Sequence, residues 1–205
     1  GLVNVLGIVL GVSAATTDNK ILIVASLAAG FAEAVSMGAV AYTSTMAEKD
    51  FYEKEQKRER EEINDVPQKE KEEVRRIYEA KGFSGDILEK IVATITANKK
   101  VWLNTMMEEE LNLSPVETKT AVHSSIIVGI AALMASFVPI LPFLLFPRDQ
   151  ATIAALFLSG LILFLTGVYE AKTYVGNWWK NGFQMLLIGL GAALVGFLIG
   201  NIFRV

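Results

Sequence analysis

The sequence predicts an all-α integral membrane protein, with five membrane-spanning helices and a water-facing helical bundle inserted between the second and third spans. Of its 205 residues, 52% are hydrophobic and 20% are charged, which is more apolar surface than one soluble core of this size can bury. The charges are concentrated, because 14 of the 19 Lys and Arg and 18 of the 22 Asp and Glu lie between Glu48 and Lys119. Long apolar stretches flank this charged segment. The chain is therefore built for two solvents, lipid and water.

Five apolar stretches approach or exceed the length of about 20 residues that a helix needs to cross a bilayer core about 30 Å thick. They are residues 1–17, 21–46, 121–147, 150–171 and 183–203. The first is short and begins at Gly1, so we expect its helix to extend upstream. The links at 18–20 and 147–149 are too short for anything but tight antiparallel hairpins. Spans one and two, and spans three and four, are therefore predicted to be neighbours.

The charged middle segment is also predicted to be helical. Apolar character ends near Met46, but the following EKDFYEKEQKREREEI is rich in helix-forming residues, so span two is expected to continue into water as one helix. Asp65 and Pro67 end it, because proline suits the first turn of a new helix and not a helix interior. Further helices are predicted at residues 67–82, 84–97 and 98–112.

The distribution of basic residues places the middle segment in the cytoplasm, since cytoplasmic loops carry an excess of Lys and Arg. The same side carries Lys172 and Lys180, whereas the opposite side carries Lys20, Arg148 and Arg204. Five spans put the two chain ends on opposite sides. The predicted organisation is two spans, a cytoplasmic helical domain and three further spans, at residues 1–46, 47–120 and 121–205.

Charge and residue types exclude several classes of function. The middle segment has a net charge of 14 − 18 = −4 with both signs mixed, so it lacks the basic patch that nucleic-acid binding needs. Cysteine is absent, which excludes thiolate zinc sites and Cys nucleophiles. His123 is the single histidine, which fits poorly with the Glu-x-x-His pairs of a ferritin-like oxidase. We therefore expect neither an enzyme nor a prosthetic group.

Glutamate and methionine residues of the middle segment form a candidate metal site. The candidate ligands are Glu59, Glu62, Glu70, Glu73, Met106, Met107 and Glu110. The first four form two pairs with a spacing of three, so each pair projects from one helix face, and two antiparallel helices would bring the four carboxylates together. Carboxylates are hard ligands and thioethers are soft, so the mixture suits a borderline metal such as ferrous iron better than Ca²⁺ or Mg²⁺. The alternative is a solvated helix face with ion pairs and methionines that fill a core.

Span two contains one charged residue, Glu33, and Met37 follows one turn later on the same helix face. An ionisable side chain at that depth costs at least about 2.5 kcal/mol and by default marks an ion pathway or a proton site. The alternative is a packing role, in which Glu33 pairs with a polar residue of a neighbouring span.

The sequence resembles the vacuolar iron transporter family from Gly1 to the last span. The motifs are GLVNVLGIVLGVSAA in span one, AEAVSMG-x-x-AY in span two, the Glu-rich helices after it and the glycine spacing of MLLIGLG in span five. Their combination with a helical insert between spans two and three is the specific feature. The resemblance implies a transporter that moves ferrous iron, or manganese, out of the cytoplasm in exchange for protons, as a homodimer with a path between the protomers.

The resemblance also implies roles for individual residues. In plant members the insert binds ferrous iron or similar metals through Glu and Met, and these positions match the seven candidate ligands above. In the membrane, the family's span-two Met matches Met37, while a Glu of plant members falls at Ala29. Glu33 is expected to take over that role. The family's Asp before the opening Gly-Leu would precede Gly1.

We therefore expect a multi-pass metal transporter, in the vacuolar membrane of a eukaryote or the cytoplasmic membrane of a prokaryote. Its partners are lipid, divalent metal ions, protons and a second copy of the chain. Metal captured by the Glu and Met cluster would pass Met37 and Glu33, and protonation of a buried Glu would weaken its hold on the cation. The rival hypothesis is a membrane-anchored metal sensor or storage protein that binds metal without transport.

Overall fold

The computed structural model describes residues 1–174 and 176–203, and within these ranges every regular element is a helix. The all-α prediction is thus confirmed. Arg204, on which the topology prediction partly relies, lies outside the described residues.

The chain divides into two compact units. The apolar unit consists of Gly1–Ala41 and Ser124–Val205, and the insert unit consists of Tyr42–His123. Two helices, α2 (Asn19–Asp65) and α6 (Thr118–Leu145), contribute residues to both units. The extension of span two as one helix as far as Asp65 is therefore confirmed.

Apolar helices dominate the apolar unit. Besides α2 and α6 these are α1 (Leu2–Ala15), α7 (Arg148–Thr173) and α8 (Trp178–Ile202). Among the described residues, four helices are long and apolar enough to cross a membrane, namely α2, α6, α7 and α8. Helix α1 has 14 residues, and at about 1.5 Å per residue it is shorter than the bilayer core. The count of five spans stays a prediction.

The links between these helices are short, as the sequence predicts. Residues 16–18 join α1 to α2, and residues 146–147 join α6 to α7. The guanidinium of Arg148 donates hydrogen bonds to the carbonyl oxygens of Ser13 and Thr16 at the end of α1. Carbonyls in the last turn of a helix have no donor within the helix, so Arg148 satisfies two groups that would otherwise lack a partner.

Helix α8 packs along both α1 and α7. The contact with α1 depends on glycine, because a Cβ added to Gly11 would lie 2.8 Å from the carbonyl oxygen of Gly196. A Cβ on Gly196 would in turn overlap the backbone of Gly7. Small residues of this kind allow membrane helices to approach closely.

The insert unit is a bundle of short helices around one hydrophobic core. After α2 it continues with α3 (Pro67–Ala80), α4 (Gly85–Thr96), α5 (Lys99–Thr105) and a π-helix (Met106–Glu110). Every one of these helices contributes to the core, which includes Ile63, Val74 and Trp102. Because α3 and α4 each present one apolar face, burial of that face holds the short helices together.

The helix predicted at 98–112 extends from Lys99 to Glu110, but it changes its form after Thr105. Helix α5 begins as predicted, with the Asn98 side chain accepting hydrogen bonds from two backbone amides of the first turn. From Met106 onward the chain forms a π-helix instead, and the amide of Leu111 donates to the Met106 carbonyl five residues earlier at 3.1 Å. Short π-helical segments of this kind are frequent at functional sites.

Candidate metal centre

Three carboxylates of the insert unit converge where α2 ends and α3 begins. Oxygen atoms of Glu59, Glu62 and Glu70 all lie within 4.8 Å of one another. The two glutamates of α2 are three residues apart and share a helix face. A single residue, Val66, separates the two helices, and the reversal places Glu70, in the first turn of α3, against that face. The converging oxygens form an arrangement that can ligate a cation.

Two of these carboxylates are buried. The Glu70 side chain is 0% exposed, and neither of its carboxylate oxygens has a hydrogen-bond partner in the part of the chain that the structure describes. Glu59 is 1% exposed, and its Oε2 likewise has no partner there. The Arg58 Nη2 lies 3.1 Å from Glu59 Oε1 and the Lys69 Nζ lies 3.7 Å from Glu70 Oε1, but burying a carboxylate still costs several kcal/mol. A further cation or a bound proton would therefore stabilise these side chains.

Burial and mutual repulsion raise the pKa values of the cluster. Burial, and then the negative charges of Glu73, Glu59 and Glu62, raise the pKa of Glu70 to about 7. Burial also raises the pKa of Glu59, although the hydrogen bond that it accepts from Arg58 acts in the opposite direction. The cluster can therefore exchange protons for a metal cation close to neutral pH.

Two further predicted ligands border the three converging carboxylates. Glu73 lies one turn after Glu70 and is partly exposed, and the Lys69 Nζ is 3.2 Å from its Oε1. Glu110, at the end of the π-helix, is an exposed residue. Protein atoms nevertheless crowd its carboxyl group, and this desolvation, followed by the charges of Glu73 and Glu59, raises its pKa. The structure thus brings these carboxyl groups into one electrostatic group.

The two predicted sulfur ligands lie inside the insert unit. Met106 and Met107 are fully buried in the hydrophobic core, together with Ile63 and Val74. This position agrees with the alternative expectation, in which the two methionines fill a core. Their role as metal ligands stays a prediction.

Two residues at this centre were not predicted from the spacing. Glu55, one turn before Glu59, is buried, and Arg58 lies between carboxylates. Its Nη1 is 2.6 Å from Glu55 Oε2, and its Nη2 is 3.1 Å from Glu59 Oε1. A signal was present in the sequence, because Glu55, Glu59 and Glu62 follow the i, i+4, i+7 pattern of one helix face.

Metal binding at this centre is expected to weaken as the pH falls below about 7, because Glu70 then takes up a proton that competes with the cation. Below that pKa, each pH unit should lower the apparent affinity about tenfold for each proton displaced. Calorimetric titration of the purified protein with Mn²⁺ at about pH 6 and about pH 8 measures the difference. Equal Mn²⁺ affinity of the wild type at the two pH values would contradict competition between the proton and the metal ion.

The Glu70 carboxyl group also affects the stability of the metal-free protein. Its pKa of about 7 in the folded chain exceeds the ordinary value of 4.5, so the bound proton stabilises the folded state. That contribution is complete below about pH 4.5 and is lost as the pH rises through about 7. The melting temperature should therefore fall between about pH 5 and about pH 8. In Glu70→Gln, which resembles the protonated form, the melting temperature should fall less over this pH range.

Glu33 and Met37 lie on α2 within the apolar unit. The Glu33 side chain is 21% exposed, and its Oε1 is 3.8 Å from the Gly1 nitrogen, just before α1. Met37, one turn later, is 37% exposed. Both side chains are therefore accessible from outside the chain, and their role as a membrane site stays a prediction.

Known proteins match this chain along nearly its whole length. The model of the VIT family matches residues 1–201. Vacuolar iron transporter 1 of Arabidopsis thaliana is 31% identical over 193 residues, which cover 94% of this chain and 77% of that protein. Vacuolar iron transporter 1 of Eucalyptus grandis is 31% identical over 188 residues, which cover 91% of this chain and 76% of that protein. The vacuolar iron transporter of Plasmodium falciparum is 29% identical over 215 residues, which cover 100% of this chain and 78% of that protein.

Proposed function

The chain belongs to the VIT family, and from this membership we propose that it transports ferrous iron, or manganese, out of the cytoplasm in exchange for protons. Its relatives named vacuolar iron transporters and the four candidate spans among its described residues support metal-ion transport by a multi-pass membrane protein. The family is one of transporters, so iron or another divalent metal is cargo, and the proposal includes no prosthetic group.

The observation that carries this proposal is the convergence of Glu59, Glu62 and Glu70, with two of the three buried. Ionised carboxylates this close together repel one another, and burial adds to the cost. A divalent cation or protons relieve that repulsion. Exchange of one for the other is the chemistry that a proton-coupled metal carrier needs.

The proposed ligands favour a divalent transition metal. They are Glu59, Glu62, Glu70, Glu73 and Glu110, with Met106 and Met107 as sulfur donors. Carboxylate oxygens suit Mn²⁺ and also Mg²⁺ or Ca²⁺, whereas a thioether selects softer metals. The names of the relatives specify iron, and the mixed set of oxygen and sulfur ligands suits its ferrous form.

The membrane step of the proposal uses Glu33 and Met37 on α2. A carboxylate supplies charge for the cation and a group that can take up a proton, and a thioether one turn away supplies a second ligand. The exposure of Met37 on the chain surface supports a path lined by two protomers. Such a homodimer would surround the metal with ligands from both copies.

The proposed organisation places residues 47–120 in the cytoplasm, with membrane segments at 1–46 and 121–205. In a eukaryote the membrane would be that of the vacuole, in line with the names of the relatives. In a prokaryote it would be the cytoplasmic membrane. The cytoplasmic insert would then capture metal on the side from which it is exported.

Opposite sides of the membrane are expected for residues 65 and 149. The chain has no cysteine, so Asp65→Cys and Asp149→Cys each introduce a single reactive thiol, and both aspartates are exposed. With an impermeant maleimide on intact cells, only Asp149→Cys should label before permeabilisation. The cysteine-free parent is the control. Labelling of both variants from the same side would contradict the proposed topology.

Metal uptake into proteoliposomes tests the proposed transport directly. Mn²⁺ uptake should increase when the lumen is made acidic, and this increase should disappear when a protonophore dissipates the gradient. Metal binding without uptake would support the sensor or storage alternative, which the names of the relatives do not favour.

A further inference from the structure

The cluster of carboxylates at the metal centre already contains a cation of the chain itself. Besides its contacts with Glu55 and Glu59, the Arg58 side chain places its Nε 3.8 Å from Glu62 Oε1. One guanidinium therefore contacts two of the three carboxylates that converge on the proposed metal position, together with Glu55. These are charge-assisted contacts, which are stronger than hydrogen bonds between neutral groups.

A metal ion and this guanidinium compete for the same negative charge. A divalent ion bound at about 2.1 Å from the carboxylate oxygens would lie only a few ångströms from a guanidinium that contacts those carboxylates. Two positive groups at that distance repel each other, and water screens only part of this repulsion because half of the Arg58 side chain is buried against the cluster. Arg58 must therefore give up part of its contacts when metal enters.

The structure provides a place for Arg58 to move. Its side chain is 50% exposed, so it can turn towards water without crossing the core. Its shortest contact is with Glu55, whose carboxylate lies outside the converging set of Glu59, Glu62 and Glu70. Glu55 can therefore retain the guanidinium after the other two contacts are broken.

We propose that Arg58 is a tethered counter-cation of the metal centre, which neutralises Glu59 and Glu62 when no metal is bound and withdraws onto Glu55 when a divalent cation enters. This inference rests on the metal centre of the proposed function. Its consequence is a lower affinity than the carboxylates alone would give. A carrier benefits from such a limit, because an ion that is held too tightly is not released for transport.

The substitution Arg58→Gln tests this role in the full-length protein. We expect Mn²⁺ to bind about tenfold more tightly than to the wild type, because no guanidinium has to be displaced. The metal-free variant should also melt at a lower temperature, since the carboxylates lose their counter-cation. Arg60→Gln is the matched control, because Arg60 is exposed on the same helix and its loss changes the net charge equally.

The substitution Glu55→Gln provides a second measurement. Without its outer partner, Arg58 should hold Glu59 and Glu62 more firmly, so Mn²⁺ affinity should fall about threefold or more. In the Arg58→Gln background the same substitution should have no such effect. Equal or weaker Mn²⁺ binding by Arg58→Gln would overturn the proposed role. If wild-type protein does not bind Mn²⁺ at all, the metal centre of the proposed function fails instead.

Discussion

Glu33→Gln is expected to reduce proton-coupled metal flux by about tenfold or more, because a loss of about 1.4 kcal/mol in the interaction with the cation already corresponds to a factor of ten. Glutamine keeps the shape of the side chain but removes both the negative charge and the exchangeable proton. Flux and its dependence on the pH gradient should therefore fall together. Metal binding by the insert unit should persist, since Glu33 belongs to the apolar unit and shares no ligand with the carboxylate cluster.

Mn²⁺ uptake into proteoliposomes over a series of imposed pH gradients measures both quantities. Glu170→Gln is the matched control, because it makes the same change near the end of α7. Normal uptake with full pH coupling in Glu33→Gln would mean that Glu33 only packs near Gly1 at the start of α1. If uptake is lost in Glu170→Gln but not in Glu33→Gln, the membrane site lies on α7 instead of α2.

The helices could be predicted from the sequence wherever their signals are local. Helix α2 ends at Asp65 and α3 begins at Pro67, where the sequence places the break. The π-helix could not be predicted in this way, because MMEEE has ordinary α-helical propensity. Both methionines of that segment are buried in the core, and we infer that their packing favours the wider helix. Contacts of this kind join residues far apart in the sequence, which local propensity does not describe.

The candidate site, too, could be predicted from the sequence only in part. Spacing and the proline break together predict that the carboxylates of α2 and α3 converge. They do not predict that Glu70 and Glu59 are buried whereas Glu62 is only partly so, because burial depends on how α2, α3 and the π-helix pack together. The sequence of the insert is compatible with two alternatives, a metal site and a helix face with ion pairs. The structure combines them, since Arg58 forms ion pairs with the carboxylates that converge.

The largest effect on metal binding is expected from the double substitution Glu70→Ala and Glu73→Ala. Each interaction of a carboxylate with a charged group contributes about 1.5–3 kcal/mol, so loss of two such ligands should weaken binding by about a hundredfold or more. Glu70 should dominate, because it is fully buried and both of its carboxylate oxygens lack a hydrogen-bond partner among the described residues.

Calorimetric titration of the full-length double variant with Mn²⁺ measures the loss, and the double substitution Glu61→Ala and Glu79→Ala is its control. The control removes the same charge from the same two helices, at exposed positions outside the converging set. In the control, metal should still raise the melting temperature, since a ligand that binds only the folded state stabilises it. In Glu70→Ala with Glu73→Ala that increase should disappear, while the metal-free protein should remain at least as stable as the wild type near neutral pH because a buried charge has been removed. Unchanged Mn²⁺ affinity in this variant would show that the converging glutamates are not the metal centre, and capture of the ion would then have to begin elsewhere on the chain.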